Sequence, residues 1–546
     1  MAVDVLGVGK RMGRTVAESV VDNAVVTKEF RTRMRGWKPF AIMGGYVLLL
    51  VVVLAIAFSI VAAFSSSGPY QYQSLGDRKV GLELFGVLTV AQVILLTLVL
   101  PSLTASSLTH ESERKTIDML ALSRLTSGKI VIGKHLAGFL YALMLLACSI
   151  PLAGLCMMLG GISPAEVGVT YIAMATWAFM FTSAGVMWST LFRKTAAATL
   201  CSYGTCVAYM LFSSTVGAWG MFAYGYGSGI RDVFAFSVAN PAYAPYTGLY
   251  TADICGMHIS VTLLTGIVQV AIGVLAIMIA SSHVPYRGAE RPLSIRLTLL
   301  AISAVVFFIM AGDRWLVGAL SSPSDFKGWL TVLSISLMIA LGLGAAAFAC
   351  GEIRKVKPGM SIGYGFSLRR IFTNDLGGSS LFMMLWVIVA YGAIGLGLRI
   401  NPAMWKTALG ADLWAAYWKI GIAMLAIILG LSALGIMFSS FVPRRRNAMG
   451  LTVIVLIALF LVYSIMLIGY TGSSDRSPVW QLAVLWPVTP VMTAVGEWKN
   501  SALPKLGYED DAWLACTATY LIIAAIALTC AGHFHSKGMG VREEDS

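Results

Sequence analysis

Charge is what this chain has least of. Asp, Glu, Lys and Arg make up 12% of its 546 residues, about half the share found in soluble domains. That scarcity excludes a water-soluble globular fold. Cysteine is sparse and unpatterned: the eight cysteines are scattered singly, mostly in apolar stretches (Cys148, Cys156, Cys350, Cys530). No disulfide framework or zinc spacing can be drawn through them. Cys201 and Cys206, five apart on one stretch, read as small core residues.

Catalytic signatures are lacking as well. Ser127-Gly128-Lys129 runs into Ile130, so no hydroxyl stands where a phosphate loop places one for magnesium. No H-E-x-x-H occurs, and Gly225-Tyr226-Gly227-Ser228-Gly229 has the wrong spacing for a nucleophile elbow. His533 and His535 read as interfacial caps. The chain is therefore expected to be neither an enzyme nor the holder of a cofactor or metal. No cleavable leader is apparent: residues 1–39 are mixed and charged, so the first span is expected to insert as an anchor.

What is present is apolar length. Hydrophobic residues reach 58%, and charge-free runs long enough to cross a bilayer, about 20 residues, recur throughout. Twelve spans are expected, near 41–64, 86–109, 136–158, 168–192, 197–222, 258–282, 297–318, 329–350, 379–398, 413–441, 448–471 and 512–532. Asp313 and Arg314 cut the seventh short. Barrel strands would alternate in shorter segments. The fold class read here is all-α: a polytopic helical membrane protein.

Orientation follows from the loops. With the N-terminus in the cytoplasm, most of the 39 Lys and Arg fall on the cytoplasmic side. Both termini are then cytoplasmic, in the plasma (inner) membrane. Anionic lipid headgroups account for the net charge of +13, and nucleic acid is not needed.

The two halves follow one order: polar cytoplasmic segment, two spans, basic turn, span, proline-containing outer segment, span. Arg193-Lys194 in the first half matches Arg444-Arg445-Arg446 in the second. Asn240-Pro241 through Pro245 matches Trp486-Pro487 through Pro490. A six-plus-six repeat is the expectation. It comprises a basic segment 1–40, a first bundle 41–285 and a second bundle 286–546. The prolines disfavour straight spanning helices in the outer segments, so short re-entrant or interfacial helices are expected there, with plain surface loops the alternative.

Few ionisable groups lie within the spans, which weakens ion-coupled transport. Lys419, with Asp412 nearby, is the main candidate, and snorkelling to the surface is its commoner fate. Glu166 is expected to be solvated in a short turn. Small-residue patches at Gly342–Ala347 and Gly392–Gly397 suit close helix packing.

Two segments stand out. Val20, Val21, Ala24, Phe30, Met34 and Trp37 recur at helical spacing, interleaved with Lys28, Arg31, Arg33, Arg35 and Lys38. That pattern fits a basic amphipathic helix in the interface. Between the second and third spans, Glu111, Glu113 and Asp118 precede Arg124 and Lys129, a charge order that suits a helix dipole. Ile117, Leu120, Ala121 and Leu125 form an apolar stripe. A short amphipathic helix at about 110–128 is what a membrane subunit needs to dock on a soluble partner, and a solvated loop is the alternative reading of the same residues.

The same residues resemble the type-2 ABC exporter permease family. Pro101, Leu103-Thr104-Ala105, Leu108, Glu111, Glu113-Arg114, Thr116, Asp118, Leu120 and Leu125 follow that family's P-x-L-T-A-x-x-I-x-x-E-R-E-R-x-T-x-D-L-L-L-x-T-x-L run. Gly133-Lys134 matches the G-K that opens its third span. Thr27-Lys28-Glu29-Phe30-Arg31-Thr32-Arg33-Met34-Arg35 is similar to its K-E-L-R-x-R-x-R lead-in. Ser112 departs from the family's arginine, and the second half has Glu352, Arg354, Lys355 and Lys357 in place of an acidic run. The match covers residues 20–160 and is architectural beyond.

The resemblance implies an ATP-driven export complex in which a separate cytosolic ABC ATPase subunit docks on the coupling helix. The permease would work as a homodimer or as a pseudo-dimer of its two halves. Glu111, Glu113, Arg114, Thr116 and Asp118 would be docking residues, and Lys28, Glu29, Arg31, Arg33 and Arg35 the interfacial helix. An ion-coupled transporter and a non-transporting scaffold are the alternatives. The substrate is not readable from the chain.

Overall fold

The computed structural model describes residues 24–67, 80–115, 126–226, 234–284, 292–313, 378–400, 410–441, 451–452, 454–455 and 512–536. Ten helices among them are long and apolar enough to cross a membrane, which makes this a multi-pass helical membrane protein. The expected spans at 329–350 and 448–471 lie almost wholly outside the described residues. The chain divides into two compact units, Met1–Arg291 and Pro292–Ser546.

In the first unit, α1 (Ala24–Arg33) precedes α2 (Lys38–Ser67), α3 (Val80–Glu113), α4 (Ser127–Met158), α5 (Pro164–Leu191) and α6 (Thr195–Tyr226). A 3-10 turn (Pro241–Tyr243), α7 (Ala244–Thr247), strands β1 (Thr251–Ile254) and β2 (Met257–Ser260) and helix α8 (Val261–Ser282) complete it. The central helix is α3, packed against α2, α4, α5 and α6. Its inward residues Leu84, Phe85, Leu88, Leu96 and Leu100 meet Tyr141, Leu145, Trp177 and Phe181 in one core. Pro101 interrupts its backbone ladder, and Tyr203 on α6 donates to the nearby Leu98 carbonyl at 2.7 Å.

Glycine lets α3 approach the α4–α5 turn. Gly81 N–H donates to the Gly160 carbonyl at 2.9 Å, and a side chain at Gly81 would collide with that carbonyl and with Cys156. The next helix, α5, starts on a capping box. Ser163 Oγ accepts from Glu166 N–H, and the Glu166 carboxylate accepts from Ser163 N–H at 2.7 Å. Glu166 is thus a half-buried helix cap, not merely a solvated group.

The proline segment folds into short helices, one of the two forms expected. Phe234–Pro241 is buried, Asn240 Oδ1 caps the 3-10 turn through Ala242 N–H at 3.0 Å, and Asn240 Nδ2 donates to Ser214 Oγ at 2.9 Å. The matching segment at Trp486–Pro490 lies outside the described residues. The hairpin that follows was not anticipated. Ile254 pairs with Met257 across a two-residue turn in which both Cys255 and Gly256 have positive φ, the conformation that matches strand twist. Gly256 N–H donates to Asp253 Oδ1 at 2.7 Å. The sixth span accordingly begins at Val261.

In the second unit, α9 (Pro292–Gly312) packs on α10 (Gly378–Ile400), α10 on α11 (Gly410–Phe441), and α11 on α12 (Ala512–Ser536). The α9 helix ends at Gly312, just before buried Asp313. Gly397 lies against the Phe308 carbonyl and Gly395 against Tyr417. Small residues there serve close packing, as expected. Tyr391 and Tyr417 stack with centroids 4.5 Å apart, each hydroxyl donating to the other's carbonyl. Lys419 lies over the Trp513 ring at 5.8 Å, near the outer limit of a cation–π contact.

Candidate functional site

Two α3 residues one turn apart, Ser107 and Glu111, share a helix face, as do Glu29 and Arg33 on α1. Between those faces comes Lys134, two turns into α4. Its side chain is 2% exposed. Lys134 Nζ donates to Glu29 Oε1 at 2.9 Å, to Glu111 Oε1 at 2.8 Å and to the Ser107 carbonyl at 2.8 Å. An ammonium has three N–H groups, and all three are used. The junction ties the N-terminal helix, the end of the second span and the start of the third at one point.

The charge is balanced locally. Two carboxylates face Lys134 and, nearby, the Arg33 guanidinium, whose Nη2 donates to the Leu103 carbonyl at 3.1 Å. Burial lowers the Arg33 pKa from its usual value, with Glu29 opposing that shift. Arg33 Nη1 is buried and makes no hydrogen bond among the described residues. Buried ionic groups are tolerated when paired and hydrogen-bonded, which Lys134 achieves with acceptors from α1 and α3.

A second tie lies beyond it. At the start of α6, Thr195 N–H donates to Glu113 Oε1 at 2.7 Å, and Thr195 Oγ1 donates to Thr109 Oγ1 at 3.0 Å. A carboxylate from another helix thus satisfies a free N–H at a helix N-terminus, where negative charge is favoured. Deeper in, Thr104 packs against Gly138 and Gly185, so the α3 end cannot shift without moving α4 and α5.

Each residue singled out in the sequence has a place. Glu29 and Glu111 meet at Lys134, Arg33 turns inward, and Lys28, Arg31 and Arg35 are exposed. Glu113 caps α6, and Arg114 is exposed after the helix, beside Lys115, whose φ of 57° ends the turn. Thr116 and Asp118 lie outside the described residues. Residues 110–113 form the last turn of α3, and 127–128 open α4; within the expected coupling helix, 116–125 lie outside the described residues.

Lys134 as the hub was missed. Sequence reading began the third span at residue 136 and left Lys134 as a flank, whereas α4 starts at Ser127. A lysine separated only by His135 from an unbroken apolar run beginning at Leu136 was the available signal. Thr195 and the Ser107 carbonyl carried none, because nothing local marks a backbone group as a distant partner.

No cluster of potential metal ligands occurs among the described residues, and the junction is built from charge pairs and hydrogen bonds between helices. Compared with known families and curated proteins, the chain matches no family model and no curated sequence.

Proposed function

We propose that the chain is the membrane-spanning permease subunit of an ATP-driven ABC export complex, energised by a separate cytosolic nucleotide-binding subunit. On this reading the junction end of the first unit faces the cytoplasm of a cell with an inner membrane, and the partner engages residues 110–128. The observation that carries the reading is Lys134 holding Glu111 and Glu29 together. Force applied to the segment after Glu113 reaches α1, α3 and α4 at once, as an energy-coupling contact requires. Export as the direction, and two six-span halves acting as a pseudo-dimer, follow from the family resemblance.

On this reading the groups left for the partner are those not already bonded within the chain. Glu111 is engaged within the chain and Glu113 caps α6, so Arg114 is the better contact. The test is co-purification of an ATPase with the full chain, comparing wild type, Glu113→Ala and Arg114→Ala. Arg114→Ala is expected to reduce the retained ATPase activity several-fold with thermal stability unchanged. Retention and hydrolysis equal to wild type in both variants would remove the docking assignment.

A further inference from the structure

Helix α1 has two unlike sides. Glu29 and Arg33, one turn apart, both reach into the bundle, to Lys134 and to the Leu103 carbonyl. Lys28, Arg31 and Arg35 are spaced by three and then four residues. On a helix they fall on the other side, within about 60° of one another, and all three are exposed. Arg35 lies just past the end of α1. Met34 N–H donates to the Phe30 carbonyl at 2.9 Å and Arg35 N–H to the Thr32 carbonyl at 3.4 Å, which carries the coil on to it. Glu29 is the one carboxylate between Ala24 and Arg35, and Lys134 holds it. The outer stripe is therefore a row of positive charge that no acid on its own helix offsets.

The membrane sets what this row meets. The first span opens at Pro39, four residues after Arg35, which is at most about 14 Å of fully extended chain. Trp37 is 74% exposed and Phe40 62% exposed at that boundary, where a ring shared between lipid and water belongs. The Arg33 contact fixes the depth from the other side. Leu103 lies 23 residues along α3 from Val80, roughly 35 Å at about 1.5 Å per residue. A bilayer with its headgroups is about 40–45 Å thick, so α1 is held beside the bilayer and not out in solvent. Cations among acyl chains are costly, whereas anionic headgroups attract basic residues next to a span within about a Debye length.

We infer that Lys28, Arg31 and Arg35 form a binding site for anionic phospholipid headgroups of the leaflet in which α2 begins. Headgroups on the outer side and Lys134 on the inner side clamp α1 between them, so acidic lipid steadies the junction. This site stands apart from the permease reading and needs no partner protein.

The test places the full chain in nanodiscs of phosphatidylcholine alone or of phosphatidylcholine with phosphatidylglycerol and measures the unfolding midpoint. Wild type is expected to melt several degrees higher with phosphatidylglycerol. That increment should fade toward about 1 M salt, where the Debye length is about 3 Å. Lys28→Gln with Arg31→Gln and Arg35→Gln should lose most of it while matching wild type in phosphatidylcholine. Lys28→Arg with Arg31→Lys and Arg35→Lys keeps the charge and should keep the increment.

A full increment in the neutral triple variant, or none in wild type, overturns the site. So does a neutral triple that melts lower by the same amount in both lipids, because the cations then serve the fold alone. Inorganic phosphate that raises the midpoint in plain phosphatidylcholine discs as far as phosphatidylglycerol does would overturn the lipid assignment in favour of a soluble anion.

Discussion

At the residue scale, Lys134 concentrates the energetics of the first unit. Two of its three bonds go to carboxylates that are each 22% exposed, and the third goes to the Ser107 carbonyl. Removing one partner of a buried pair leaves charge uncompensated, and that costs more than the pair contributes. Lys134→Met should destabilise the chain by about 2–4 kcal/mol, read as a lower unfolding midpoint in detergent. Combining it with Glu111→Gln should recover most of that loss, since Glu29 then still faces Arg33 and no carboxylate is stranded. A midpoint unmoved by Lys134→Met would show that the junction holds nothing. Both glutamates were visible in the sequence as residues of interest, each assigned to its own segment. Their meeting was invisible, because Glu29 and Lys134 are 105 positions apart.

At the element scale, helix ends and helix contacts carry the specificity. Glu113 caps a helix to which it is not joined, so Glu113→Ala should speed amide hydrogen exchange at Thr195 and the residues after it. Exchange at the self-capped start of α5 should stay unchanged. Along α10, Gly392 has open space around it, whereas a methyl on Gly397 would press on the Phe308 carbonyl at 2.9 Å and the Ala311 side chain at 2.8 Å. Gly397→Ala should therefore cost about 1–3 kcal/mol by forcing α9 and α10 apart, and Gly392→Ala almost nothing, in the same unfolding assay. Composition marked both glycines as small, and only the neighbour across the helix contact distinguishes them.

At the scale of the whole molecule, the first unit has two unlike ends. One carries the ionic junction and the basic turns; the other carries the hairpin and the buried proline segment. Lys194→Cys and His258→Cys, each in a cysteine-free background, test how that unit sits in the membrane. An impermeant maleimide should label position 258 in intact cells and position 194 only after permeabilisation. Labelling of both from one side would contradict the bundle, and the reverse pattern would invert the orientation read from the basic loops. The sequence by itself determined that the chain is helical and crosses the membrane many times, because an apolar run of bilayer length in lipid must satisfy its backbone internally. It also marked the segments around Glu29 and Glu111, since charge is costly in so apolar a chain. Only the tertiary structure decided that Lys134 joins them, that Glu113 caps α6, and that a hairpin precedes α8. Those outcomes depend on which distant groups helix packing brings within about 3 Å, the reach of a hydrogen bond, and no local pattern encodes that.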